Sequence, residues 1–137
     1  MDKSLNYVSL ARKAGRIELG EEPVGAATRA QKARLVVVAR DASDHTWRRA
    51  QSFVAGTNQQ CIRIPYTKDE LGLAVGRTSL AIGAFTDAAM ALAFVKALPE
   101  PLKYADTIAK LDEKTRKLRQ REDEAKAHQR NIRKGKK

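Results

Sequence analysis

Two short stretches of this chain carry the residue types that hold phosphate. Gly20-Glu21-Glu22-Pro23 reads as a helix start, where backbone N–H groups without intrahelical partners face outward. Gly76-Arg77-Thr78-Ser79 combines a flexible residue, a cation and two hydroxyls in a loop. A plain helix-to-strand turn also wants Gly76, and the two readings are compatible, since a tight turn is what presents Arg77. Between them, positions 22, 26 and 29 fall on one side of a helix at spacings of four and three. Arg29 supplies a cation one turn beyond Ala26, and Lys32 and Arg34 continue the basic edge. Guanidinium groups suit bidentate contacts to phosphate or guanine and stacking on bases. Each of these three cations, taken singly, reads more simply as a solvated charge.

Glu21 and Glu22 carry two readings as well. Carboxylates at a helix start gain about 0.3–1 kcal/mol from the dipole, and they can also accept from guanine N–H groups. Gly25 inside the same helix costs roughly 1 kcal/mol relative to Ala. Close packing, close backbone approach, or tolerance in an alanine-rich helix would each account for it.

Enzymatic constellations are missing from the sequence. There is no G-x-x-x-x-G-K loop and no G-x-G-x-x-G. His45 and His128 are far apart with one cysteine between them, which argues against zinc. Ser43-Asp44-His45 holds triad residue types, but neighbours on a helix cannot face one another as a relay. Cys61 lies in a buried-looking strand and reads as a small apolar residue. No catalytic residue, metal, cofactor or small-molecule substrate is expected.

The net charge of +11, from 27 Lys+Arg against 16 Asp+Glu, calls for a polyanionic partner. The charge is uneven: residues 1–102 hold 14 basic and 10 acidic residues, residues 103–137 hold 13 and 6. With seven aromatics, and Trp47 expected to be partly buried, single-strand binding by stacking is a poor fit. The lone cysteine allows no internal disulfide, and no apolar run approaches a membrane span of ~18 residues. The N-terminus lacks the apolar core of a secretory signal, and the tail lacks large apolar residues for insertion into a membrane surface. A cytoplasmic location is expected.

The elements that must position the two stretches can be read from periodicity and caps. Residues 2–14 spell a helix stopped by Gly15, and Arg16–Leu19 a short extended segment. A helix follows from Pro23 to about Gln31, with Pro23 as its first residue. Leu35-Val36-Val37-Val38 is a four-residue apolar run, three of them β-branched, as fits a strand buried on both faces over residues 34–39. Asp41 and Ser43 end it and can cap a helix from Ser43 to about Val54. A strand over Gln60–Ile64 ends at Pro65, and Thr67-Lys68-Asp69-Glu70 has capping-box spacing for a short helix stopped by Gly76. A strand over Leu80–Phe85 precedes a helix capped by Thr86-Asp87 and running through Leu98. Pro99-Glu100-Pro101 marks a boundary. The alternation predicts a three-layer α/β/α sandwich with a single central mixed sheet over residues 1–98, followed by a basic helical or partly disordered extension over 99–137. In that extension Tyr104, Ile108, Leu111, Thr115 and Leu118 keep heptad-like spacing, which predicts a helix over 103–118 and a solvated or disordered tail over 119–137.

Four pieces in order, Gly20-Glu21-Glu22, Lys32 through Ser43, Ile64-Pro65 and Glu70-Leu71-Gly72-Leu73-Ala74-Val75-Gly76, resemble the kink-turn-binding ribosomal protein superfamily. That is the group of large-subunit protein seven-Ae, and the likeness is greatest to its small bacterial YlxQ-like members, over residues 4–98. The resemblance implies an α/β/α sandwich that binds structured RNA without catalysis. It places RNA contacts at Gly20, Glu21, Glu22 and Pro23, and at Val75, Gly76, Arg77 and Thr78. Archaeal and eukaryotic members commonly carry Gly-Thr-Asn-Glu in the first region and a Lys one turn on. Here Glu22, Pro23 and Ala26 stand at the last three of those places, whereas the bacterial subgroup shares Gly-Glu-Glu.

The expected function is therefore RNA binding of the ribosomal kink-turn type, in translation, with ribosomal RNA or a ribosomal particle as partner and the free protein monomeric. A protein-interaction adaptor using the C-terminal helix is the alternative.

Overall fold

The computed structural model describes residues 2–135. Met1, Lys136 and Lys137, the outermost residues of the two predicted segments, lie outside the described residues. Helices and strands alternate as α1 (Lys3–Lys13), β1 (Ile17–Leu19), α2 (Glu21–Arg29), β2 (Leu35–Val38), α3 (Asp44–Val54), β3 (Gln60–Arg63), α4 (Lys68–Ala74), β4 (Ile82–Phe85) and α5 (Ala88–Lys96). A 3-10 turn over Pro101–Tyr104 leads into α6 (Ala105–Gly135).

The strands form one sheet in the order β1-β4-β2-β3, with β4 antiparallel to both neighbours and β2 parallel to β3. The sheet is thus mixed. Helices α2 and α3 cover one face, and α1, α4 and α5 lie on the other, giving the three-layer sandwich. All four residues of β2 are buried, which is why its sequence is an uninterrupted apolar run and not an alternation. Phe85 at the end of β4 packs on Phe94 of α5 with ring centroids 5.0 Å apart, both fully buried.

Local chemistry sets most boundaries. Ser43 caps α3, Thr67 and Glu70 form the capping box of α4, and Asp87 caps α5. Asp41 serves a different helix from the one expected: its carboxylate accepts from the Lys68 N–H at 2.8 Å and helps start α4. The second helix also begins earlier than its proline suggested, at Glu21, with Pro23 in the third position. No N–H of a first turn has an intrahelical acceptor, so a proline there forfeits nothing at either place.

The largest departure is α6. The helix runs unbroken from Ala105 to Gly135, so residues 119–135 are helical, and the side chains of 119–130 are exposed. Its first turns lie on the sandwich: Leu111 and Thr107 are buried, Ile108 and Tyr104 pack against the core, and the Tyr104 hydroxyl donates to the Arg63 carbonyl at 3.3 Å. Further along, i,i+4 pairs hold it, among them Arg116–Asp112 and Lys117–Glu113, each typically worth about 0.2–0.5 kcal/mol. Among the described residues no helix is long and apolar enough to cross a membrane.

Candidate nucleic-acid interface

The turn after α4 decides where the first cation stands. Gly76 adopts the left-handed conformation (φ +73°). The Arg77 N–H then bonds the Gly72 carbonyl at 2.8 Å and the Gly76 N–H the Leu73 carbonyl at 3.4 Å, a Schellman closure. The chain next folds back across the helix. A Cβ on Gly72 would lie 2.7 Å from the Ser79 nitrogen and 2.8 Å from the Arg77 carbonyl oxygen, so only glycine admits this approach. The Leu80 N–H finally bonds the Lys68 carbonyl at 2.9 Å.

The start of α2 is built by the end of β1. The Gly20 N–H continues the ladder to the Ile82 carbonyl at 3.0 Å, and its backbone (φ +97°, ψ +161°) lies in a region essentially reserved for glycine. Because β4 starts at Ile82, the strand that follows the Arg77 turn is the one that Gly20 joins. The two predicted regions therefore meet: the Arg77 Nη1 lies 3.9 Å from where a Cβ on Gly20 would stand. Arg77 is exposed, and its guanidinium has no ion-pair or hydrogen-bond partner among the described residues.

Glu22, Pro23, Gly76 and Thr78 are exposed around this junction, and Gly20 and Glu21 are partly so. Val75 is not available there, since its side chain is buried in the core. Glu21 is paired with Arg49 of α3, which also stands over the Phe53 ring at 5.4 Å. Arg49 thus joins the site although the sequence placed it on a separate helix. No local signal marks it, because the pairing depends on α2 packing against α3. That packing also explains Gly25: a Cβ there would stand 3.1 Å from the Phe53 ring and 3.2 Å from Arg29 Nη1. Arg29 is exposed on this α2–α3 surface. Lys32 is exposed beyond the C-terminal end of α2, at the opposite end of that helix from Gly20 and Arg77. It is not gathered with them.

Burial pushes the Cys61 thiol up to about 12, so it stays protonated at neutral pH. Trp47 is half-buried with the Arg63 guanidinium over its ring at 4.9 Å. Among the described residues no three His, Cys, Asp or Glu side chains are gathered to hold a metal. What the junction offers, among the described residues, is a helix start with N–H groups lacking an acceptor, a guanidinium without a partner beside it and a carboxylate without one at Glu22.

No family model matches the chain. The RNA-binding protein YlxQ of Enterococcus faecium is 30% identical over 81 residues, which is 59% of this chain and 78% of that protein. The chain belongs to the YlxQ-like family. That is the bacterial group to which the likeness of the motifs was greatest. Among solved structures, a Bacillus halodurans protein of unknown function superposes with a TM-score of 0.62 at 21% identity, covering 82% of this chain and 99% of that one. The Giardia lamblia 15.5kD RNA binding protein superposes with a TM-score of 0.58 at 18% identity, covering 80% and 84%. At these identities the two likenesses speak for the fold alone.

Proposed function

We propose that this chain is a non-enzymatic RNA-binding protein that docks a bent, structured RNA on the surface shared by the start of α2 and the turn after α4. The observation that carries this reading is the meeting of Gly20 and Arg77. It sets a free guanidinium beside unsatisfied helix-start N–H groups, two complementary ways of holding phosphate at one spot. Glu22 then accepts from a guanine N–H edge and favours that base over one lacking the donor. The name of the Enterococcus relative supports RNA as the partner class. The partner we infer is a kink-turn-like element of ribosomal RNA or a ribosomal particle, met by a monomer in the cytoplasm during translation. The adaptor reading has less support, because Ile108 and Leu111, which a partner helix would need, already pack on the sandwich.

Titration of the labelled protein with a kink-turn RNA, followed by amide NMR, tests the reading. Shifts are expected at Gly20, Glu21, Glu22, Arg77 and Thr78. Perturbation confined to α6 with those amides unmoved would contradict it.

A further inference from the structure

At the other end of the sheet, where β2 and β3 begin, α6 and the loops following α2 and α3 enclose a groove of about 600 Å³. Strands of four residues separate this end from Gly20 and Arg77, roughly 13 Å at 3.3 Å per residue. One small anion cannot touch both places.

We propose that this groove is a second RNA site, which grips the sugar–phosphate backbone of an arm leaving the element bound at Gly20 and Arg77; in naming RNA it rests on the function proposed above. Arg34 forms one wall, and Lys114, Lys117 and Arg121 line the other along α6. Their spacing of three and four residues repeats the cations about every 5–6 Å, a row suited to a polymer of phosphates more than to a single ion. Lys117 shares its charge with Glu113, but Arg34, Lys114 and Arg121 have no acidic partner among the described residues. The fold holds these charges together against their own repulsion. The Arg34 guanidinium above all, with burial and then Arg121 and Lys117, presses the Lys114 ammonium below the usual lysine range. A bound polyanion removes that strain.

Two amides add hydrogen-bonding capacity to the row of cations. Gln31 and Asn58 line it, and neither side-chain amide has a hydrogen-bond partner among the described residues. Gln31 closes α2 from the left-handed region (φ +57°), a place that glycine fills without strain. Its N–H bonds the Thr28 carbonyl, and the next N–H, of Lys32, bonds the Ala27 carbonyl. An amide both donates and accepts, as does a ribose 2′-hydroxyl, so a row of ribose phosphates satisfies amides and cations together.

The test compares the full-length protein with K114Q/R121Q, Q31G and Arg77→Ala. Each is titrated at two salt concentrations with a kink-turn RNA bearing one long arm and with the same RNA trimmed to the bend. The K114Q/R121Q variant should lose about tenfold on the long-armed RNA, with a salt slope shallower by about one to two, and lose nothing on the trimmed one. Q31G should weaken long-arm binding while its thermal midpoint holds or rises. Equal affinity and slope for K114Q/R121Q and the wild type on the long-armed RNA would overturn the proposal. So would loss of binding to a polyglutamate peptide with RNA binding intact, which would make the occupant a protein. Arg77→Ala should weaken both RNAs. If it changes neither while K114Q/R121Q still loses the long arm, the groove stands and the surface at Gly20 falls.

Discussion

Gly72 is the residue on which the placement of Arg77 turns. It sits inside a helix of seven residues, where glycine costs roughly 1 kcal/mol against Ala, and nothing in its local sequence repays that. The return comes from the backbone of residues 77–79 crossing at van der Waals distance. Gly72→Ala must push two backbone segments apart, since both close contacts are to main-chain atoms. Overpacking of this kind costs about 1–3 kcal/mol, and Arg77 moves with the displaced turn. Chemical denaturation should therefore show lowered stability, and RNA affinity should fall with it; a variant of unchanged stability would refute the account of the turn. The local setting of these residues was legible, since Gly20 and Glu22 stand at the helix start and Gly76 and Arg77 at the turn that the sequence placed them in. What the sequence could not show is what each touches. The Glu21–Arg49 pair and the Phe53 ring over Gly25 arise from α2 meeting α3, and no spacing along the chain encodes them. Val75 shows the converse: it belongs to the right segment, but its side chain turns inward.

Among the elements, α6 shows what periodicity reads and what it misses. Apolar spacing ends at Leu118, and so did the predicted helix, yet the helix continues to Gly135 on charge pairs at i,i+4 that an apolar pattern does not register. The pattern does report correctly where the helix meets the sandwich. Leu111, 2% exposed, should cost about 2–5 kcal/mol when truncated to Ala, whereas Leu118→Ala, half-buried, should cost about 1 kcal/mol. Equal costs measured by thermal unfolding would mean that α6 does not dock as described. The other elements were found within a residue or two, because caps such as Thr67 with Glu70 and the apolar run of β2 are local signals. Asp41, which caps α4 across a loop instead of α3 beside it, is the exception that again required tertiary contact.

At the scale of the whole molecule, the fold class followed from the alternation of helix and strand periods, but the strand order β1-β4-β2-β3 did not, since pairing between distant strands leaves no mark on either alone. That order has a functional consequence. It brings the end of β1 against the start of β4, and with them the start of α2 against the Arg77 turn. The net charge of +11 drives association with any polyanion, and so does not by itself distinguish one RNA from another. On the proposed reading, discrimination comes from the junction of Gly20 and Arg77, where the sheet sets the start of α2 beside the turn that carries the guanidinium. The most direct measurement is the affinity of the full chain, and of Arg77→Ala, for a kink-turn RNA and a straightened RNA of the same composition at two salt concentrations. The account predicts that the wild type prefers the kinked RNA, that the preference survives at the higher salt, and that Arg77→Ala loses it, at a cost of about 1–3 kcal/mol on the kinked RNA. Equal affinity of the wild type for both RNAs, or a preference that Arg77→Ala leaves intact, would contradict it.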